Sequence, residues 1–177
     1  MNNELTQLLG RIISGEVTDE NDKEYYVQTN GLTFRLDKTE IEKPLKLGSR
    51  FKGFAYENEQ HQLQITRNAP KVQVDHYGFG EVVRVQHGLG VFVNIGLPNK
   101  DSVVSLDNLP EINALWPQRG DRLMLSITLD KKGRMWGDLG DEALYRVIAQ
   151  PVTTKLDNKD VVVTAYRLKL TGTMVLT

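Results

Sequence analysis

Phe92 stands in the run Gly90-Val91-Phe92-Val93-Asn94, where Val91, Val93 and Ile95 alternate on one face, so strand periodicity turns the ring outward. Arg84 is expected outward on the preceding strand, His87 at its tip, and Lys100 and Arg134 add candidate phosphate contacts. An exposed ring beside cations can stack a base while the cations meet phosphates, chemistry that serves single-stranded nucleic acid without strong sequence preference. Strand aromatics also pack inward, and each cation alone reads as a solvated surface charge. Clustering on one face separates these readings.

Other chemistries find no residues. The chain has no Cys, and its three histidines, His61, His76 and His87, show no short ligand spacing, so neither a metal nor a cofactor is expected. Gly88-Leu89-Gly90 joins two strands, which removes the helix N-terminus that would hold a pyrophosphate. No Gly-x-Ser-x-Gly elbow is present, and Asp19-Glu20-Asn21-Asp22 reads as a solvated hairpin turn without EF-hand spacing. The residues therefore predict a binding protein, not an enzyme.

The elements that position these residues are strands arranged in repeats. Gly80–Ile95 aligns without a gap to Val162–Thr177, and Arg11–Gln28 is a weaker copy with a longer turn, placing Tyr26 over Phe92 and Val27 over Val93. The first copy parses as RIISGEV, EYYVQT, GLTFRLD, SRFKGFAYE and QLQITR, with Asn30-Gly31 the strongest turn signal. In the second, Val104 and Leu106 are expected inward with Val103 and Ser105 outward. Leu123, Leu125, Ile127 and Leu129 are expected inward, with Arg122, Met124, Ser126 and Thr128 outward. A fifth strand through Arg134, Met135 and Trp136 follows the turn Asp130–Gly133, and Trp116 and Trp136 are expected either to plug barrel ends or the junction or to be exposed for binding. Five short strands broken once by a Pro-bounded loop predict an all-β chain of tandem five-stranded OB-fold barrels. The expected domains are 1–70, 71–140, and 141–177, the last holding a connector helix from about Asp141 to Ala149 and one hairpin of a third repeat. That hairpin cannot bury a core alone, so it is expected either to complete a sheet with a second copy of the chain or to be poorly ordered.

Charge sets the strength of binding. The 177 residues hold 22 Lys+Arg against 23 Asp+Glu, a net charge of -1, which excludes a globally basic nucleic-acid binder. Residues 1–74 carry 10 basic and 11 acidic groups and residues 75–140 carry 7 and 8, so neither barrel has a bulk positive field. Affinity should be modest and salt-sensitive. No stretch approaches the roughly 18 apolar residues of a membrane helix, and the opening MNNELTQLLGRII lacks a signal-peptide pattern, so a soluble cytoplasmic protein with no membrane partner is expected.

At this point a resemblance becomes specific. Gly80-Glu81-Val82, Gly90-Val91-Phe92-Val93, Gly120-Asp121 and Asp130…Arg134 fill, in order, the pattern of the RNA-binding repeat of ribosomal protein S1. GEVVRVQHGLGVFVNIGLPNKDSVVSLDNLP and LWPQRGDRLMLSITLDKKGRMWG more closely resemble the conserved virulence factor B family of bacteria, over nearly the whole chain. That resemblance implies three such barrels followed by a winged helix in a cytoplasmic protein that binds single-stranded RNA and influences gene expression. This chain would lack the complete third barrel and the winged helix. Two aromatics and a His of the S1 pattern map to Leu89, Phe92 and Ser105, so two of the three are replaced, which implies weakened stacking. In the first barrel the equivalents are Tyr26 for Phe92 and Arg35 for Ser105. The alternative function is a protein-interaction module docking a partner on Tyr26, Leu89 and Phe92.

Overall fold

The structure, a computed structural model, describes residues 2–148, 157, 158, 160, 164–169 and 172–176. The chain divides into two compact units, Met1–Leu139 and Gly140–Thr177.

The first unit contains both barrels. After a short helix, α1 (Asn2–Leu8), come β1 (Arg11–Glu20), β2 (Glu24–Thr29), β3 (Leu32–Asp37), β4 (Arg50–Glu57) and β5 (Leu63–Thr66). They close in the order β1-β2-β3-β5-β4, with β3 and β5 parallel. The second barrel repeats this with β6 (Gly78–Gln86), β7 (Gly90–Asn94), β8 (Ser102–Ser105), β9 (Arg122–Leu129) and β10 (Met135–Leu139), where β8 and β10 are the parallel pair. The two closed five-stranded barrels and the all-β class agree with the sequence reading. Asn30 and Gly31 both have positive φ, at 48° and 74°, as a tight β2–β3 hairpin requires.

The Gly-Glu-Val signature has a steric cause in each barrel. A Cβ on Gly15 would stand 2.7 Å from the Gln28 carbonyl oxygen, and one on Gly80 would stand 2.9 Å from that of Asn94. The first strand of each barrel thus crosses the second too closely for any side chain. Three residues on, each strand bulges: the register shifts between Val17 and Asp19 in β1 and between Val82 and Arg84 in β6. Strict alternation would put Val82 and Arg84 on one face; the extra residue lets Val82 stay in the core while Arg84 is exposed.

Packing fuses the barrels. Phe54 and Tyr56 on β4 are fully buried in a cluster with Val72, Val82, Val91 and Leu125 of the linker and second barrel, while Leu129 and Met135 pack against the first barrel's core. Leu5 of α1 joins that first core as well. The linker is pinned by the Val74 N–H donating to Gly10 O (2.8 Å) and the Ile127 N–H donating to Gln73 O (3.1 Å). Polar groups complete the joint: Tyr56 OH donates to Asn99 Oδ1 (2.8 Å), and the carboxamides of Asn58 and Asn99 both donate to Gln64 Oε1 (3.1 and 2.8 Å). Burial pushes the Tyr56 phenol well above its ordinary range, with the carboxylates of Glu40 and Asp37 adding to the rise.

Three orientations differ from expectation. Leu106 is 39% exposed because the chain leaves β8 at Ser105 and enters a 3₁₀ turn, Leu106–Asn108. Met124 is buried although it faces outward, since Phe79 stands directly across from it and shelters it. Ser126 is also buried, with Asp138 as its cross-strand partner.

In the second unit, α2 (Glu142–Ile148) begins where expected. Asp141 caps it, its Oδ1 accepting the Leu144 N–H at 2.8 Å. Ala149, the expected end, lies outside the described residues. The strands β11 (Thr164–Lys169) and β12 (Gly172–Leu176) pair antiparallel as a two-stranded sheet. Val162 and Thr177, the expected ends of that hairpin, also lie outside the described residues.

Candidate nucleic-acid interface

The outer wall of the second barrel presents a row across four strands. Phe92 on β7 is half-buried, with Arg84 of β6 as its cross-strand partner on one side and Val103 of β8 on the other. Gly137 pairs with Val104, which brings its neighbour Trp136 on β10 to the same level as Val103. One strand therefore separates the two rings, a spacing of roughly 10 Å. The close approach of β7 to β8 requires Gly90, whose φ is 146° and whose added Cβ would fall 2.0 Å from Val104 O.

Arg84 lies over this aromatic. Its Cζ is 3.5 Å from the Phe92 centroid, and its Nη1 donates to Gln86 Oε1 at 2.8 Å. The guanidinium is thereby held over the ring face. Arg134 approaches Trp136 with Cζ 5.5 Å from the ring centroid and donates from Nε to Asp130 Oδ2 at 2.7 Å. The Trp136 indole N–H donates to the same oxygen at 3.3 Å. Burial alone would raise the Asp130 carboxyl, but the Arg134 amide and guanidinium, the Trp136 indole and the Lys132 amide hold it down at about 2.

These residues meet in a groove of about 330 Å³ whose walls come from both barrels. Phe92, Leu89, Lys100, Val103, Arg134, Met135 and Trp136 come from the second, while Glu57 and His61 come from the β4–β5 hairpin of the first. Carboxylates also edge the region: burial raises the Asp101 carboxyl, Glu59 raises it further, and Arg84 pulls it back. The field is mixed in sign, as the charge balance predicted.

The groove gathers Phe92, Leu89, Lys100 and Arg134 from the residues singled out in the sequence, and Arg84 covers the ring at its side. It does not gather the others. His87 stacks instead on the buried Trp116, ring centroids 5.7 Å apart and planes at 28°. Trp116 donates from Nε1 to Pro110 O (2.7 Å), so this stack braces the β8–β9 loop. The Ser105 hydroxyl accepts the Asp107 N–H (3.3 Å) and caps the 3₁₀ turn after β8. In the first barrel, Tyr26 and Arg35 are cross-strand partners, but Arg35 Nη1 turns to Glu24 Oε2 (3.5 Å) and the Tyr26 hydroxyl accepts from Asn21 Nδ2 (2.8 Å).

Trp136, which the sequence left between plugging a barrel end and binding, lines the groove. Sequence reasoning missed two contributors, Glu57 and His61, which belong to the β4–β5 hairpin and reach the groove only through the packing of one barrel on the other. Among the described residues no cluster of three His, Cys, Asp or Glu converges to hold a metal, and no helix is long and apolar enough to cross a membrane.

Paired barrels of this topology with an aromatic and cationic outer wall define an S1-like OB-fold protein. Residues 9–68 match the profile of the S1 domain, and residues 77–138 match that of the CvfB first S1-like domain. The chain is 30% identical over 150 residues to conserved virulence factor B of Staphylococcus epidermidis, covering 83% of this chain and 50% of that protein. It is 29% identical over 168 residues to the uncharacterized protein YitL of Bacillus subtilis, covering 95% of this chain and 56% of that protein. A crystal structure of a multidomain protein with nucleic acid binding domains from Streptococcus pneumoniae superposes with a TM-score of 0.89 at 41% identity, over 94% of this chain and 58% of that one. Both barrels are thus S1-like domains, the second of the kind that comes first in conserved virulence factor B, and the chain spans about half the length of the curated relatives it matches.

Proposed function

We propose that the chain binds single-stranded RNA along the outer wall of its second barrel, without catalysing a reaction. The observation that carries this reading is Arg84 held 3.5 Å over the outward Phe92 ring beside a groove that also holds Lys100, Arg134 and Trp136. A base stacks on the guanidinium plane or on the indole, both tolerant of any sequence, while Lys100 and Arg134 meet phosphates. The S1-like domains and the description of the pneumococcal neighbour as having nucleic acid binding domains support the same class of ligand. In this reading the protein acts in the cytoplasm and tunes gene expression after transcription, and the C-terminal hairpin pairs with a second copy of the chain.

Fluorescence anisotropy with labelled RNA oligomers tests it. The folded double variant Arg84→Ala, Phe92→Ala should lose about 1–3 kcal/mol of affinity per base no longer stacked. Unchanged affinity rules out this face. With three cations engaged, affinity should fall with salt at a logarithmic slope of about −2, and Lys100→Ala should flatten that slope by about 0.7. An apolar protein-docking face would respond little to salt.

A further inference from the structure

Glu57 has no role in the reading above, which it would even oppose, because a carboxylate repels phosphates. It nevertheless lines the same groove as Phe92, Lys100 and Trp136. Its place there is built. The Asn58–Gln64–Asn99–Tyr56 network and the Glu59 N–H donating to Asn99 O (3.2 Å) fasten the β4–β5 hairpin to the β7–β8 loop of the other barrel. His61, next to the groove, adopts a left-handed backbone (φ 59°) where the second barrel's matching turn has Gly133 (φ 78°). From there its Nδ1 contacts Glu57 Oε1 at 2.6 Å. The His61 side chain is 84% exposed, so this pair contributes little to stability. It orients a carboxylate whose other oxygen, Oε2, has no hydrogen-bond partner among the described residues.

A carboxylate only accepts hydrogen bonds. Set beside a stacking surface, it selects bases by the donors on their edges. Guanine offers adjacent N1–H and N2–H donors that match Oε2 and the remaining lone pair of Oε1; cytosine and adenine offer one amino group next to a repelling ring nitrogen, and uracil one N–H between two carbonyls. We infer that Glu57 reads the edge of one base stacked in the inter-barrel groove and favours guanine there. The inference rests on the proposed RNA-binding reading and adds specificity that the S1 pattern does not supply.

Anisotropy with the full chain and a labelled oligouridine, compared with the same strand carrying one central G, C or A, tests it. The single G should tighten binding about tenfold, with C and A between G and U. Glu57→Gln, which swaps one acceptor for a donor, should abolish the preference for G while leaving affinity for the all-U strand unchanged or tighter. Equal binding of the four strands, or a G preference that survives Glu57→Gln, overturns the inference alone and leaves RNA binding standing. Failure of the wild-type chain to bind any strand overturns both. Because His61 orients the carboxylate, His61→Ala should reduce the G preference without removing it; a preference untouched by both variants assigns it to another residue.

Discussion

The two barrels share strand order, bulge position and hairpin geometry, yet they present opposite chemistry at the same spot. In the second, the residue after the bulge is Arg84, which covers Phe92. In the first it is Asp19, which stands opposite Tyr26. The neighbouring cation of the first barrel, Arg35, is drawn to Glu24, whereas in the second barrel Lys100 and Arg134 line a groove. The fold supplies a platform in both places, but one residue decides whether a phosphate is attracted to it or repelled. The comparison also separates two duties. The first barrel's own face is neutralised, while its far edge reaches across to complete the second barrel's groove with Glu57 and His61.

That division depends on the barrels acting as one body, which gives the largest expected effect. Phe54 is a first-barrel residue fully buried in the second barrel's cluster. Phe54→Ala should therefore cost about 3–5 kcal/mol and lower the stability of both barrels together in chemical denaturation. Two separated transitions, with only the first displaced, would mean the barrels fold independently. Next in size is Arg84→Asp, which gives the second barrel the first one's chemistry. It replaces a stacked cation with a carboxylate and should weaken RNA binding by about 2 kcal/mol, close to the loss from the double alanine variant. A milder loss than Arg84→Ala would show that charge at this position does not decide which barrel binds.

Much of this was legible in the chain because a barrel strand that buries one face writes its period into the sequence. Val91 and Val93 announced the orientation of Phe92, and the repeat alignment placed Tyr26 at the matching position of the first barrel. Legibility stopped where neighbours decide. The burial of Met124 depends on Phe79 across the sheet, and α1 escaped notice because a helix of 7 residues has little signal beyond the core that its leucines join. His87 was placed near Phe92 by its position at the strand tip, but the loop carrying Trp116 captured it. Glu57 could not have been found: it lies more than thirty residues from Phe92 in the chain, and only inter-barrel packing brings them together.

The reverse exchange should have a smaller effect. Asp19→Arg puts a guanidinium opposite Tyr26, on the side away from Arg35, and should add RNA affinity of about 0.5–1 kcal/mol at low salt, lost as salt rises. The gain is limited because Asn21 donates to the Tyr26 hydroxyl and the first barrel has no counterpart of Trp136, its matching position being Gln64. No gain in anisotropy would mean that the platform needs the second ring as much as the cation.

The smallest effect contrasts the two hairpins by pH. Asn58 Oδ1 accepts the N–H groups of Gln60 and Gln62, each at 3.0 Å, and Asp130 Oδ1 accepts those of Lys132 and Arg134 at 2.8 and 3.0 Å. The turns are equivalent, but only one titrates. Asp130 is held at about 2, below its ordinary 3.8, so the folded state prefers the ionised form. Its contribution to stability is complete above pH 3.8 and is lost as pH falls toward 2. Acidification through that window should loosen the β9–β10 hairpin and alter Trp136 fluorescence, because protonation weakens the oxygen that holds both Arg134 and the indole. Asp130→Asn keeps the turn acceptor and should flatten this part of the pH profile. A profile unchanged by Asp130→Asn would assign the acid transition to other carboxylates and leave the two hairpins alike in pH response.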